Sequence, residues 1–301
     1  MNKVMGLIGI ILCLLLSGCN LMSKISAYAM DSTIEQSSPQ KNEETLTAEQ
    51  FIHTPLNVEI GTHITLKDIG LVNVEVIEKK AVNIVNGRYA YLLRDYMPES
   101  TDFYNVYLVV ETENTVLFQS FETGNLESTM YVCDIDGDGK DNIIVQRLVD
   151  EFGGAGTFCS HVFALEQDQI ISIFNSDLYF NTEEISPWDT GYSSEFISDR
   201  MIRISNRITG YQEDFDISSY YRREFFDNNG VCTLPHQITC DSFMQFFPED
   251  IDDDSISEIV CLQYVSLGGH ADGIGYAKSV LKYDTQAQHF AIVVAEFILS
   301  T

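Results

Sequence analysis

Asp134-Ile135-Asp136-Gly137-Asp138-Gly139-Lys140-Asp141-Asn142-Ile143-Ile144-Val145 is the stretch on which the reading of this chain turns. Carboxylates stand at positions 1, 3 and 5 of the run, a glycine at position 6, and a β-branched segment follows. Ca²⁺ takes about six to eight oxygens at about 2.3–2.6 Å, and alternate residues of a tight loop point their side chains at a common centre. Gly139 permits the bend, the Lys140 carbonyl turns inward, and Asn142 at position 9 supplies a further side-chain oxygen. The candidate ligands are therefore Asp134, Asp136, Asp138, the carbonyl of Lys140, and Asn142.

The pattern recurs 116 residues later as Asp250-Ile251-Asp252-Asp253-Asp254-Ser255-Ile256-Ser257-Glu258-Ile259-Val260, aligned without a gap. Here the candidates are Asp250, Asp252, Asp254, the carbonyl of Ile256, and Glu258. An EF-hand needs a bidentate Glu at position 12 and a helix on each side. Position 12 is Val145 in one loop and Cys261 in the other, and the flanks are β-branched, so the EF-hand is rejected. A plain Asp/Gly turn without an ion is the competing reading, because both residues dominate turns.

The similarity continues downstream. Glu151-Phe152-Gly153-Gly154-Ala155-Gly156 matches Ser266-Leu267-Gly268-Gly269-His270-Ala271. Each is followed by a hairpin pattern, His161 to Phe174 turning near Glu166–Gln169, and Lys278 to Val294 turning near Asp284–Gln288. The chain thus carries a duplication, with acidic loop, strand, Gly-Gly turn and hairpin in each copy.

The first segment resembles the FG-GAP/VCBS family of repeats, whose pattern is Asp-x-Asp-x-Asp-Gly-x-x-Asp followed by an apolar strand. The likeness covers Asp134 to about Phe174, and Asp250 to about Val294 more loosely. Asn142 and Glu258 replace the ninth-position Asp, Ser255 replaces the Gly, and the family's upstream Phe-Gly-Gly-Ala-Pro signature is absent. The resemblance implies a propeller-like β fold in which Ca²⁺ is structural. Three or four carboxylates aimed at one point repel strongly unless a cation lies between them.

Other strand signals agree. Ala81–Val85, Asn86-Gly87 and Arg88–Leu93 read as a hairpin with the favoured turn dipeptide. Tyr104–Val110 and Thr115–Phe121 flank Glu111–Asn114 as another. Val58, Ile60, Ile64 and Leu66 alternate with polar residues, as do Val72, Val74 and Val76. Met201–Ile217 and Tyr220–Phe226 read as further strands. Asn181–Ser194, with Pro187, Trp188 and Gly191, reads as the seam between the copies. The expected fold is mainly β, with antiparallel sheets in two duplicated halves, residues 51–180 and 181–301, as a closed or incomplete propeller-like array.

The N-terminus carries an address. Met1-Asn2-Lys3 precedes an apolar run from Val4 to Leu16, too short to span a bilayer as a mature helix, which reads as an export signal over residues 1–18. Leu16-Ser17-Gly18-Cys19 resembles the bacterial lipobox. That resemblance implies cleavage before Cys19, diacylglycerol on its sulfur, and a lipid anchor holding the protein on the extracytoplasmic side of a bacterial cell membrane. Two acyl chains suffice for stable anchoring where one is marginal. An ordinary cleaved signal or an uncleaved anchor are the alternatives. Residues 19–50 read as a flexible tether, since Ser32 to Glu49 is polar without an apolar period, and such a coil reaches roughly 30 Å. Of seven cysteines, Cys133, Cys159, Cys232, Cys240 and Cys261 fall in the folded part; Cys232 and Cys240 could close a short loop, and buried thiols are the other reading.

With 17 Lys+Arg against 45 Asp+Glu, a net charge of −28 makes nucleic acid and anionic head groups poor partners. No nucleophile-elbow, zincin, P-loop or dinucleotide motif is present. Of the six histidines only His270 sits in a repeat-equivalent loop, beside Asp272. The expected role is a membrane-tethered binding module for a protein or glycan. The alternatives are an extracellular hydrolase of cell-wall or environmental glycans, and a structural or sensory envelope lipoprotein.

Overall fold

The computed structural model describes residues 56, 58–83, 87–96, 104–112, 115–124, 128–150, 157–166, 168–176, 190–198, 200–220, 239–266 and 273–300. All lie in the compact unit Ala48–Thr301. The signal, Cys19, the tether, the Asn86 turn position, the Gly-Gly turns with His270, Trp188 and most of the seam, residues 221–226, and the side chains of Cys232 and Cys240 lie outside the described residues.

Sixteen strands form four antiparallel sheets among the described residues. The first sheet is β1 (His63–Leu66), β2 (Leu71–Ala81), β3 (Gly87–Asp95), β4 (Tyr104–Thr112) and β5 (Val116–Gly124). The second is β6 (Thr129–Cys133), β7 (Asn142–Asp150), β8 (Thr157–Glu166) and β9 (Gln169–Asn175). The third is β10 (Tyr192–Ser198), β11 (Met201–Asn206) and β12 (Gln212–Asp216). The fourth is β13 (Thr239–Glu249), β14 (Glu258–Ser266), β15 (Gly273–Asp284) and β16 (His289–Leu299). Every sheet is a meander in chain order. The second and fourth have the same make-up, each four strands with its acidic loop between the first two.

Three of the expected hairpins form: Val109 pairs with Phe118, Glu166 with Gln169, and Asp284 with His289. The one read about Asn86-Gly87 is corrected: β2 ends at Ala81, which pairs with Tyr89 and not with Leu92 as a two-residue turn would require, and Val82 and Asn83 have left the strand. Met201–Ile217 resolves into β11 and β12, Ile202 opposite Phe215. Two alternations break. Ile60 is exposed in the turn before β1, and Val72 is exposed although Val74 and Val76 are fully buried. Asn73 explains the second case: its φ of 55° interrupts the pleat, so Val72 does not share the face of Val74.

Shared cores set which sheets touch. Ala90, Leu92, Val106, Leu108 and Val110 of the first sheet pack against Met130, Ile143, Val145 and Phe163 of the second. On the opposite face of the first sheet Val74, Val76, Tyr91 and Leu93 pack with Ile64 and Leu66 of β1 and with Leu56 and Val58 from the segment before it. Ile144, Val162 and Phe174 leave the other face of the second sheet and meet Phe243, Phe246, Ile259, Cys261 and Phe290 of the fourth. The fourth sheet in turn packs on the third through Val265, Ile274, Ala277 and Phe297 against Ile202, Ile204 and Ile217. The uninterrupted Ile143-Ile144-Val145 follows from this, because successive strand residues face opposite sides and both sides are buried. The second sheet is thus held between the first and the fourth, and the third packs on the same face of the fourth as the second does, since Ile259, Cys261 and Val265 of β14 all point to that face. One core therefore joins the two sheets that carry the acidic loops.

Polar contacts tie the same neighbours. The Glu78 carboxylate accepts from the Thr129 hydroxyl at 2.8 Å and the Met130 N–H at 3.0 Å. Thr190 Oγ1 donates to Gln263 Oε1 at 2.6 Å, and the Phe297 N–H donates to the Tyr211 hydroxyl oxygen at 3.1 Å.

Candidate metal centre

The two acidic loops have one architecture written in different residues. Position 1 staples the bend: Asp134 accepts from the N–H groups of Gly137 (2.8 Å) and Gly139 (2.9 Å), and Asp250 from those of Asp254 (3.1 Å) and Ser255 (3.0 Å). Position 5 closes onto position 7: the Lys140 N–H donates to Asp138 Oδ1 and the Ile256 N–H to Asp254 Oδ1, both at 2.8 Å. Position 9 reaches back to position 2: the Ile135 N–H donates to Asn142 Oδ1 at 2.7 Å and the Ile251 N–H to Glu258 Oε2 at 3.1 Å. Charged acceptors make such bonds the stronger kind.

The backbone matches as well. Positions 4 and 6 are left-handed in both loops, with φ of 74° and 81° at Gly137 and Gly139, and 60° and 70° at Asp253 and Ser255. Glycine adopts this conformation freely, whereas other residues are strained there. The second loop therefore keeps the glycine geometry without the glycines.

Ligand oxygens of Asp134, Asp136 and Asp138 lie within 4.8 Å of one another, and so do those of Asp250, Asp252 and Asp254. Two oxygens on opposite sides of a Ca²⁺ ion stand about 4.6–5.2 Å apart, so both trios have the right spread for one ion. Their all-oxygen chemistry suits a hard cation. The two position-9 residues also brace their loops. Asn142 and Glu258 are both buried, and Asn142 also donates from Nδ2 to Asp136 Oδ2 at 3.2 Å. The carbonyls of Lys140 and Ile256 sit in the same turns.

The cations beside the loops differ. The Lys140 ammonium pairs with Asp138 at the solvent side. Partial burial works against the Asp138 carboxylate, but bonds from the Lys140 side chain and N–H outweigh it and hold the pKa below the ordinary value. In the second loop, Lys282 Nζ of β15 lies 2.8 Å from Asp252 Oδ2, 3.4 Å from Asp254 Oδ2 and 2.7 Å from Glu258 Oε1. The Glu258 contact is an ion pair away from the axis of a well-aligned hydrogen bond. The Lys282 bond lowers the Asp252 pKa, and the carboxylates raise that of Lys282.

Sequence reasoning missed Lys282, because it is 24 to 30 residues from its partners and only strand pairing brings it to them. It also missed position 8. The Asp141 N–H donates to the Asn83 carbonyl at 3.1 Å, and its carboxylate accepts from the Asn83 N–H, joining the first loop to the first sheet. The Ser257 N–H donates to the Asp134 carbonyl at 2.8 Å, joining the second loop to the first. Cys133 lies at this junction, its thiol pushed up to about 11 by burial.

Comparison with known proteins adds relatives. The chain is 25% identical over 200 residues to the uncharacterized protein YybI of Bacillus subtilis (strain 168), covering 65% of this chain and 74% of that protein. No solved structure matches. Residues 190–298 are similar to the family described as the YybI C-terminal domain, a span that takes in the third sheet, the second acidic loop and nearly all of the fourth sheet.

Proposed function

We propose that the protein is an exported lipoprotein, anchored through Cys19 on the extracytoplasmic side of a bacterial cell membrane, whose Ca²⁺-braced β scaffold binds a protein or glycan. The leader and lipobox-like Leu16-Ser17-Gly18-Cys19 supply the address, and the polar stretch after it the reach. The packed sheets, the second of them covered on both sides, serve in this reading as blade-like units of a propeller-like array of FG-GAP/VCBS type.

One observation carries the metal part: three aspartates of the first loop hold their oxygens at ion-coordinating spread while the loop's backbone N–H groups pin them in place. A Ca²⁺ ion there neutralises the converging charge and stiffens the β6–β7 connection. Asp134, Asp136, Asp138, the Lys140 carbonyl and Asn142 would hold it. The second loop offers the corresponding set, with Lys282 as a competitor for the same oxygens.

The test uses the full chain, purified from membranes in mild detergent and stripped of metal. Calorimetry with CaCl₂ should give binding and a raised melting temperature, both lost in Asp134→Ala. No binding and no stabilisation overturn the metal reading. Cys19→Ala should abolish acyl-chain incorporation and release the protein from membranes; unchanged incorporation overturns the anchor. Chelator-sensitive retention on isolated cell wall supports the binding role, and glycan cleavage by the same preparation replaces it with the hydrolase.

A further inference from the structure

The geometry points to Lys282 as the resident cation of the second acidic loop. We propose that its ammonium stands where a divalent ion would sit, so that this loop takes a metal only when Lys282 is removed.

Three observations carry this. An ammonium has three donors, and Nζ has three carboxylates around it, Asp252, Asp254 and Glu258, at 2.7–3.4 Å. A metal bound to the same oxygens at about 2.3–2.6 Å would overlap Nζ, so the two occupants exclude one another. Glu258 is 2% exposed, and a buried carboxylate needs a partner cation. Lys282 is that partner.

The duplication supplies the control. Ile143 pairs with Phe163 in the second sheet, and Ile259 with Leu281 in the fourth. One position further, Asn142 corresponds to Glu258 and Ala164 to Lys282. The copy with a neutral residue at position 9 has a small buried alanine on the neighbouring strand; the copy with a carboxylate there has a lysine. The charges changed together. Lys140 offers no equivalent in the first loop, since it reaches Asp138 alone from the solvent side. Lys282 thus sets which loop selects a metal. This builds on the reading of the loops as oxygen nests but does not require the first to be filled.

The probe is Ca²⁺ alone, titrated calorimetrically into the metal-stripped full chain. Expected stoichiometries per chain are one for the parent, none for Asp134→Ala, two for Lys282→Met, and one for the double variant. Lys282→Arg, which keeps the charge, should match the parent. An unchanged stoichiometry in Lys282→Met, or a site in Asp134→Ala that Asp250→Ala removes, overturns the assignment. If parent and Asp134→Ala both bind nothing while Lys282→Met gains one site, the calcium reading of the first loop fails and the lysine assignment stands. A measurement on the unaltered protein is independent of how variants fold: amine acetylation read by mass spectrometry should be at least tenfold slower at Lys282 than at exposed Lys67, and equal rates overturn the proposal.

Discussion

The N–H of Ser257 donates to the carbonyl of Asp134 at 2.8 Å, so position 8 of the second acidic loop is bonded to position 1 of the first. Ile256 lies beside that bond, against Gly137. The two loops are one structural element, assembled from strand connections 116 residues apart.

Gly137→Ala and Gly139→Ala should therefore differ. Both impose a left-handed alanine, worth about 1–2 kcal/mol. At Gly137 the added methyl also meets Ile256 Cδ1 at 2.9 Å, whereas nothing lies within 4 Å at Gly139. Denaturant unfolding in chelator should show the larger loss for Gly137→Ala, and Ile256→Ala should recover part of it in a double-mutant cycle. Equal losses would dismiss the contact.

Ser255→Gly should stabilise. Its φ of 70° strains serine, and glycine relieves that strain while adding freedom to the unfolded chain. The expected net gain is about 0.5 kcal/mol, read as a shift of the unfolding midpoint at constant slope. A loss would mean that the Ser255 side chain contributes more than its backbone costs.

Phe246→Ala should be severe. Phe246 is fully buried in the core between the second and fourth sheets, with ring centroids 4.9 Å from Phe174 and 5.7 Å from Phe243. Truncating a buried phenylalanine costs about 3–5 kcal/mol. Because this core joins the second and fourth sheets, thermal unfolding of this variant should show both destabilised in one transition.

High pH should loosen the fold. Burial, then bonds to Asp95 and Glu213, push Tyr107 and Tyr211 up to about 12, and burial with the Glu111 charge pushes Tyr91 higher still. A hydroxyl whose folded pKa is raised contributes stability that is complete below the unfolded value of about 10 and is lost as pH climbs through the folded value. Absorbance titration should show these phenols ionising only together with unfolding, between about pH 10 and 12. Ionisation near pH 10 in a still-folded chain would contradict their hydrogen bonding.

The hairpins were legible in the chain because their signals are local. Glu166–Gln169 and Asp284–Gln288 break apolar runs at turn residues, and the acidic loops announce their bends through Asp and Gly. The layer order was not legible. Ile143-Ile144-Val145 says that both faces of β7 are covered, but apolar burial is non-directional and does not say by what. Lys282 was hidden for a related reason: strand pairing, not spacing, brings it to Glu258. Val72 misled because a single residue, Asn73, changes the phase of the pleat.

One face of the fourth sheet covers both the second and the third, although those two are made first. A ribosome delivers chains from the N-terminus, and domains fold as they emerge. The third layer is thus complete in sequence, with Ile202 and Ile204 ready for burial, while its cover is still being translated. Any factor that shields a newborn chain would find its task there, in the interval before the last four strands arrive.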